Sequence, residues 1–204
     1  MTRVDQTTSQ PIAADTAAAS VARFADPGPL GLGAFALTTF VLSMANSGFV
    51  AGAGSAVLGL ALFYGGIAQL VAGIWEFANK NTFGATAFCS YGGFWLAFWF
   101  LVVSKGDVAA GGAGVGTFLL AWAIFTLYMT LAAIRTNKAI LAVFIALTLT
   151  FFALAIGAFT GNAAITHLGG YLGIITAILA WYGSFAVVIN STFKRVVLPV
   201  GPSA

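Results

Sequence analysis

The chain has 204 residues, 60% of them hydrophobic and only 6% charged, and its mean hydropathy is +1.01. Ordinary globular chains are roughly a quarter charged. So few charges cannot cover a water-facing sphere of this size, which argues against a soluble enzyme and makes lipid the solvent around most of the molecule. The eight Lys and Arg form no patch, which excludes nucleic acid as a partner despite a pI of about 9.3, and the single Cys89 excludes a disulfide scaffold.

In chain order, residues 1–26 read as a mobile N-terminal tail. Arg3 is followed by Thr7, Thr8, Ser9, Gln10 and Pro11 and then by an Ala-rich stretch broken by Asp15, so the apolar core of a signal peptide is missing. Asp26-Pro27-Gly28-Pro29 stiffens the approach to the first helix. Beyond it, the charged residues leave four uncharged runs, at 27–75, 81–104, 108–134 and 139–193. A helix needs about 20 apolar residues to cross a hydrocarbon core of roughly 30 Å. The two middle runs therefore hold one helix each and the outer two a pair each, divided by Gly52-Ala53-Gly54-Ser55 and by Thr160-Gly161-Asn162. The expected fold is an all-α polytopic membrane protein. Its six transmembrane helices fall at about 31–51, 56–78, 82–103, 112–134, 139–160 and 164–190. They make one domain over 27–193, with a C-terminal tail over 194–204. Barrel strands fit poorly, because the runs do not alternate polar and apolar.

Lys and Arg set the orientation. Arg3, Arg23, Lys80, Arg135, Lys138, Lys194 and Arg195 fall on the side that holds the termini, and Lys105 on the other. Both termini are expected to be cytoplasmic, in a multi-pass protein of the cell membrane. Residues 73–95 and 157–181 each run Gly, Phe, Asn, Thr, Tyr and Trp with unequal spacing, which leaves a 3+3 inverted repeat open.

Several segments carry a family resemblance. Asp26-Pro27-Gly28-Pro29-Leu30-Gly31-Leu32 resembles the Asn-Pro-Ala-Pro-Leu-Gly-Leu signature of the acetate uptake transporter family, the succinate–acetate permease group. Phe63-Tyr64-Gly65-Gly66-Ile67-Ala68-Gln69 is similar to its second-helix motif. Asn81-Thr82-Phe83-Gly84-Ala85-Thr86-Ala87-Phe88 and Ser90-Tyr91-Gly92-Gly93-Phe94-Trp95 are similar to its third-helix motif, and Gly161-Asn162-Ala163-Ala164 to the start of its sixth. Asp26 stands where the signature has Asn, and Gly28 where it has Ala; Asp caps a helix about as well as Asn. The resemblance implies a carrier or channel for acetate and similar small monocarboxylates, assembled as a homo-hexamer with a path through each protomer. It implies a hydrophobic constriction at Phe35, Tyr91 and Leu147 and a substrate-size position at Ala180.

Read without the resemblance, Phe35, Thr39, Leu42, Ser43 and Asn46 share one face of the first helix, and Gly59, Leu62, Gly66, Gln69, Gly73 and Glu76 one face of the second. Gly59, Gly66 and Gly73 favour close helix packing. Gln69 and Asn46 favour a wet path, because a buried amide needs several partners. The Gly112/Gly116 and Gly169/Gly173 pairs read as helix contacts, within or between protomers. Glu76 has two readings: a functional acid at the cytoplasmic mouth, or an exposed i, i+4 ion pair with Lys80. His167 reads as a residue at the outer start of the sixth helix, and one His cannot make a metal site. The Trp residues read mostly as interfacial belt or packing. No metal or cofactor is expected.

No Lys or Arg falls inside a helix, so nothing traps an anion tightly. The remaining polar devices are hydroxyls, amides and helix N-termini, the last at Asn81-Thr82 and at Asn162. With Thr39, Asn46, Gln69 and Glu76 they make the candidate polar path around an apolar gate, a weak arrangement that lets a small carboxylate leave again. A channel for a small neutral solute such as urea or ammonia is a second reading, and a non-transporting interaction or sensory subunit a third. An enzyme would need a paired acid and base or a metal cluster, and one His, one Cys and one intramembrane Glu assemble neither.

Overall fold

A computed structural model describes residues 24–201. The expected N-terminal tail, up to and including Arg23, lies outside the described residues, as do residues 202–204. Six helices follow one another: α1 Gly28–Asn46, α2 Ala53–Ala78, α3 Thr82–Val103, α4 Gly106–Ala133, α5 Lys138–Thr160 and α6 Ala163–Phe193. Each is long and apolar enough to cross a membrane, and no strand occurs among the described residues. α1, α3 and α5 run away from the end that holds the described termini, and α2, α4 and α6 run back.

The helix ends follow local chemistry. α1 starts three residues earlier than expected, because Pro29 sits in the first turn where its missing N–H costs nothing. Asp26 Oδ1 accepts the Gly28 N–H at 2.8 Å, so the acid serves one of the free donors of that turn. α1 also stops earlier than expected, at Asn46. Ser47 and the left-handed Gly48 (φ 79°) end it, and Gly54 and Ser55 belong to α2 instead. Asn81, Asn137 and Asn162 cap α3, α5 and α6 through their side-chain oxygens. Lys80, Lys105 and Lys194 follow α2, α3 and α6 in the left-handed conformation, each placing a cation at the negative end of a helix.

Two helices are irregular inside the span. In α2, residues Phe63–Ala68 widen into a π turn. α4 breaks at Gly111 (φ 62°, ψ −172°), so Gly106–Ala110 is a separate turn and the continuous helix begins near the expected position 112.

α1 packs along α6, α6 along α5, α5 along α4, and α2 along α3. Small residues set these distances. A side chain on Gly73 would put its Cβ 2.5 Å from the Cys89 nitrogen of α3, and one on Gly170 would collide with the Asn46–Ser47 backbone where α1 ends. Gly112 and Gly116 face Ala158 and Phe159 of α5, while Gly169 and Gly173 face Leu154 of α5 and Ser43 of α1. Both pairs thus make contacts within the chain. Phe63, Phe77, Phe100 and Leu131 point outward, as expected where the surroundings are lipid. The C-terminal segment returns across the bundle: the Asn190 side chain holds Val197 and Leu198, Tyr182 Oη donates to the Pro199 carbonyl at 2.6 Å, and Ala139 N–H donates to the Val200 carbonyl at 3.0 Å.

Candidate functional site

Two cavities penetrate the bundle from opposite ends. The inner one, on the side of the termini, has a volume of about 220 Å³, and Asp26, Gln69, Glu76, Asn81 and Asn137 are among its walls. The outer one has about 530 Å³, with Thr39, Ser43, Asn46, Trp95, Asp107 and Thr150 among its walls. Phe35 and Leu147 belong to both, and Tyr91 closes the inner cavity beside them.

The three outward-running helices build this boundary. Each supplies one side chain to the layer: Phe35 from α1, Tyr91 from α3 and Leu147 from α5, all 5% exposed or less. The Phe35 and Tyr91 ring centroids are 5.6 Å apart. Trp122, Phe125 and Phe144 surround the Tyr91 ring at 6.1, 5.4 and 6.1 Å.

One turn outward on the same helices, a polar layer follows. Thr39 is four residues after Phe35 and Trp95 four after Tyr91, and both face the outer cavity. Thr39 Oγ1 and Trp95 Nε1 are buried, and neither has a hydrogen-bond partner among the described residues. A buried donor left unpaired costs about 1–3 kcal/mol, so two of them on residues that line one cavity mark a polar layer just behind its wall. On the inner side Gln69, 1% exposed, has an unpartnered Oε1.

Glu76 is buried and faces the inner cavity, where it accepts a hydrogen bond from Asn81 Nδ2 at 3.0 Å. Lys80 is exposed on the turn beyond, so the arrangement is not the surface pair that the i, i+4 spacing allows. The N-termini of α1 and α3 converge here. Glu76 Oε1 lies 3.7 Å from where a Cβ on Gly28 would stand and 2.7 Å from one on Gly84. Glycine at both positions leaves room for the carboxylate beside two positive helix ends.

The expected α1 face is found intact, with Phe35, Thr39, Leu42, Ser43 and Asn46 all lining the outer cavity. The α2 face divides. Gln69, Gly73 and Glu76 are buried together, but Gly59 is exposed with open space beside it. The π turn adds backbone between them and rotates the first part of α2 away. Thr82, Asn162 and Ala180 line neither cavity. Thr82 is exposed, Asn162 spends its side-chain oxygen on the Ala164 and Ile165 N–H groups, and Ala180 is fully buried in the core. His167 sits at the outer end against Gly48. Cavity residues that escaped the sequence reading include Asp26, Thr136 and Asn137 on the inner side and Trp95, Asp107, Thr150 and Thr166 on the outer. An Asn two residues before an apolar run, at a helix start, was the available signal for Asn137; nothing comparable marks the indole of Trp95.

Comparison with known proteins supplies the relationship. The profile described as the GPR1/FUN34/yaaH family matches residues 8–202. The succinate-acetate/proton symporter SatP of Escherichia coli is 42% identical over 184 residues, covering 89% of this chain and 97% of that protein. The ammonia transport outward protein 2 of Saccharomyces cerevisiae is 46% identical over 181 residues, covering 83% of this chain; the matched part spans 64% of the yeast protein's length. The solved structure of the bacterial acetate channel SatP superposes with a TM-score of 0.84 at 41% identity, over 88% of this chain and all of that one. The resemblance carried by the Asp26–Leu32 signature and the second-helix, third-helix and sixth-helix motifs is thus confirmed over almost the whole length, and the chain belongs to the GPR1/FUN34/yaaH family.

Proposed function

We propose that this protein moves acetate and similar small monocarboxylates across the cytoplasmic membrane through a narrow path in each protomer, with both termini cytoplasmic and the protomers assembled as a homo-hexamer. The observation that carries this reading is the pair of cavities, one from each end, separated by a single apolar layer of Phe35, Tyr91 and Leu147. The names of the bacterial relatives support the cargo: one is a succinate-acetate/proton symporter and the solved one an acetate channel.

The geometry suits rapid passage rather than tight capture. Thr39 and Trp95 line the outer cavity with buried polar atoms that lack partners among the described residues, and no Lys or Arg among the described residues lines either cavity. Asp26 and Glu76 on the inner side and Asp107 on the outer further discourage a retained anion. A solute meets weak polar stations on each side of a dry constriction, which favours small or protonated acids.

Uptake of labelled acetate into proteoliposomes tests the reading, with the leak of empty vesicles subtracted. Acetate flux above that leak is expected, and its absence overturns the proposal. Accumulation driven by an inward proton gradient and abolished in Glu76→Gln indicates coupling through that carboxyl; equilibration without accumulation indicates a channel. The name of the yeast relative favours a second cargo, ammonia. Flux of ammonia without flux of acetate would select it.

A further inference from the structure

The Tyr91 ring walls the constriction, but its hydroxyl is turned away from the path. Tyr91 Oη lies 2.9 Å from Thr126 Oγ1 on α4. Thr126 Oγ1 donates in turn to the Trp122 carbonyl, at 2.8 Å. Each hydroxyl has one proton to give. The Thr126 proton goes to the carbonyl, so the Thr126 oxygen receives the Tyr91 proton, and the chain ends on a main-chain acceptor. The reverse direction would leave the phenolic proton among the rings of Phe35, Trp122, Phe125 and Phe144, with no acceptor among the described residues. Burial favours the arrangement that uses both protons.

We infer that Thr126 is a specificity-setting positioning residue: by accepting the phenolic proton it ties the polar end of Tyr91 to α4, so that the apolar ring faces the path and the gate stays narrow. This rests on the proposed passage of monocarboxylates between Phe35, Tyr91 and Leu147. Thr126 is fully buried and lines neither cavity, so it acts from behind the gate and not on the solute. Removing either hydroxyl unties the ring from α4, and Thr126→Val in addition leaves the phenol an orphan in apolar surroundings. The nearest open space is the 220 Å³ cavity that Tyr91 already lines, and a ring that swings into it leaves the Phe35–Leu147 layer, so the constriction no longer keeps its width.

The test compares initial rates for labelled butyrate and acetate in proteoliposomes of the full chain, in wild type and in Thr126→Val, Thr126→Ser, Tyr91→Phe and Tyr91→Ala. In Thr126→Val the butyrate-to-acetate ratio is expected to rise about threefold or more, the scale on which one lost neutral hydrogen bond is felt. Thr126→Ser, which restores the acceptor, keeps the wild-type ratio. Tyr91→Phe shifts the ratio as Thr126→Val does. A wild-type ratio in Thr126→Val, or an equal shift in Thr126→Ser, overturns the role of the Thr126 hydroxyl. If Thr126→Val does not purify as folded protein, Tyr91→Phe decides, since it keeps Thr126 and removes only the phenolic oxygen; a wild-type ratio there overturns the inference. Tyr91→Ala reports on the gate itself. If it leaves the ratio unchanged, the gate reading fails, whereas a shift in Tyr91→Ala without one in Thr126→Val defeats only the Thr126 assignment.

Discussion

Trp95 separates two roles that its sequence neighbourhood does not distinguish. Its ring packs against Phe94 at 5.0 Å and Phe98 at 5.9 Å, as a core tryptophan would, and the residue lines the outer cavity, but its Nε1–H is buried with no partner among the described residues. Hydrogen bonds to charged groups are worth about 1.5–3 kcal/mol. Trp95→Phe keeps most of the ring and removes the donor, so the KM for acetate is expected to rise about tenfold while the thermal midpoint stays the same or rises. Concentration-dependent uptake and a melting curve check the two halves. A residue-scale feature of this kind is not legible in sequence, because the missing partner becomes visible only when the neighbouring helices are in place. The same holds for Thr126, one hydroxyl among several on apolar helices, whose meaning depends on a tyrosine 35 positions away. Tyr91 sits inside the Ser90–Trp95 motif and Phe35 three residues beyond the Asp26–Leu32 signature, which is how the resemblance points to both.

At the scale of single helices, periodicity succeeds where the backbone is regular and fails where it is not. α1 is regular through the layer, so counting by threes and fours collects the outer-cavity wall correctly from Phe35 to Asn46. α2 contains the π turn at Phe63–Ala68, which no residue pattern announces, and the face counted from Gly59 to Glu76 is split at that point. Two substitutions measure the difference. Gly73→Leu drives a side chain into the Cys89 backbone and is expected to destabilise the protein by about 1–3 kcal/mol. Gly59→Ala enters open space and, by adding helix propensity, is expected to change stability by no more than about 1 kcal/mol, toward greater stability. Thermal unfolding of both in detergent checks the pair, and equal losses would mean that the predicted face is continuous after all. The end of α1 was misplaced for a related reason: Gly52-Ala53-Gly54-Ser55 is a denser turn signal than Ser47-Gly48, yet a single left-handed glycine suffices to stop a helix.

Across the whole molecule, the charge gaps made six helices legible without any motif, since an uncharged run of sufficient length has few alternatives in lipid. Three parallel helices each donate one apolar side chain to the same layer, and the cavities on either side are unequal, about 220 and 530 Å³. If solute passes through that layer, its side-chain volume sets the size limit. Leu147 is the most direct probe, because it borders both cavities and is 3% exposed, whereas Leu131 on α4 is 63% exposed to the surroundings. The decisive measurement is the butyrate-to-acetate rate ratio in proteoliposomes for wild type, Leu147→Ala and Leu131→Ala. A path through the Phe35–Tyr91–Leu147 layer predicts a raised ratio in Leu147→Ala alone, with Leu131→Ala like wild type. A wild-type ratio in folded Leu147→Ala would contradict it and place the limiting step elsewhere in the protein.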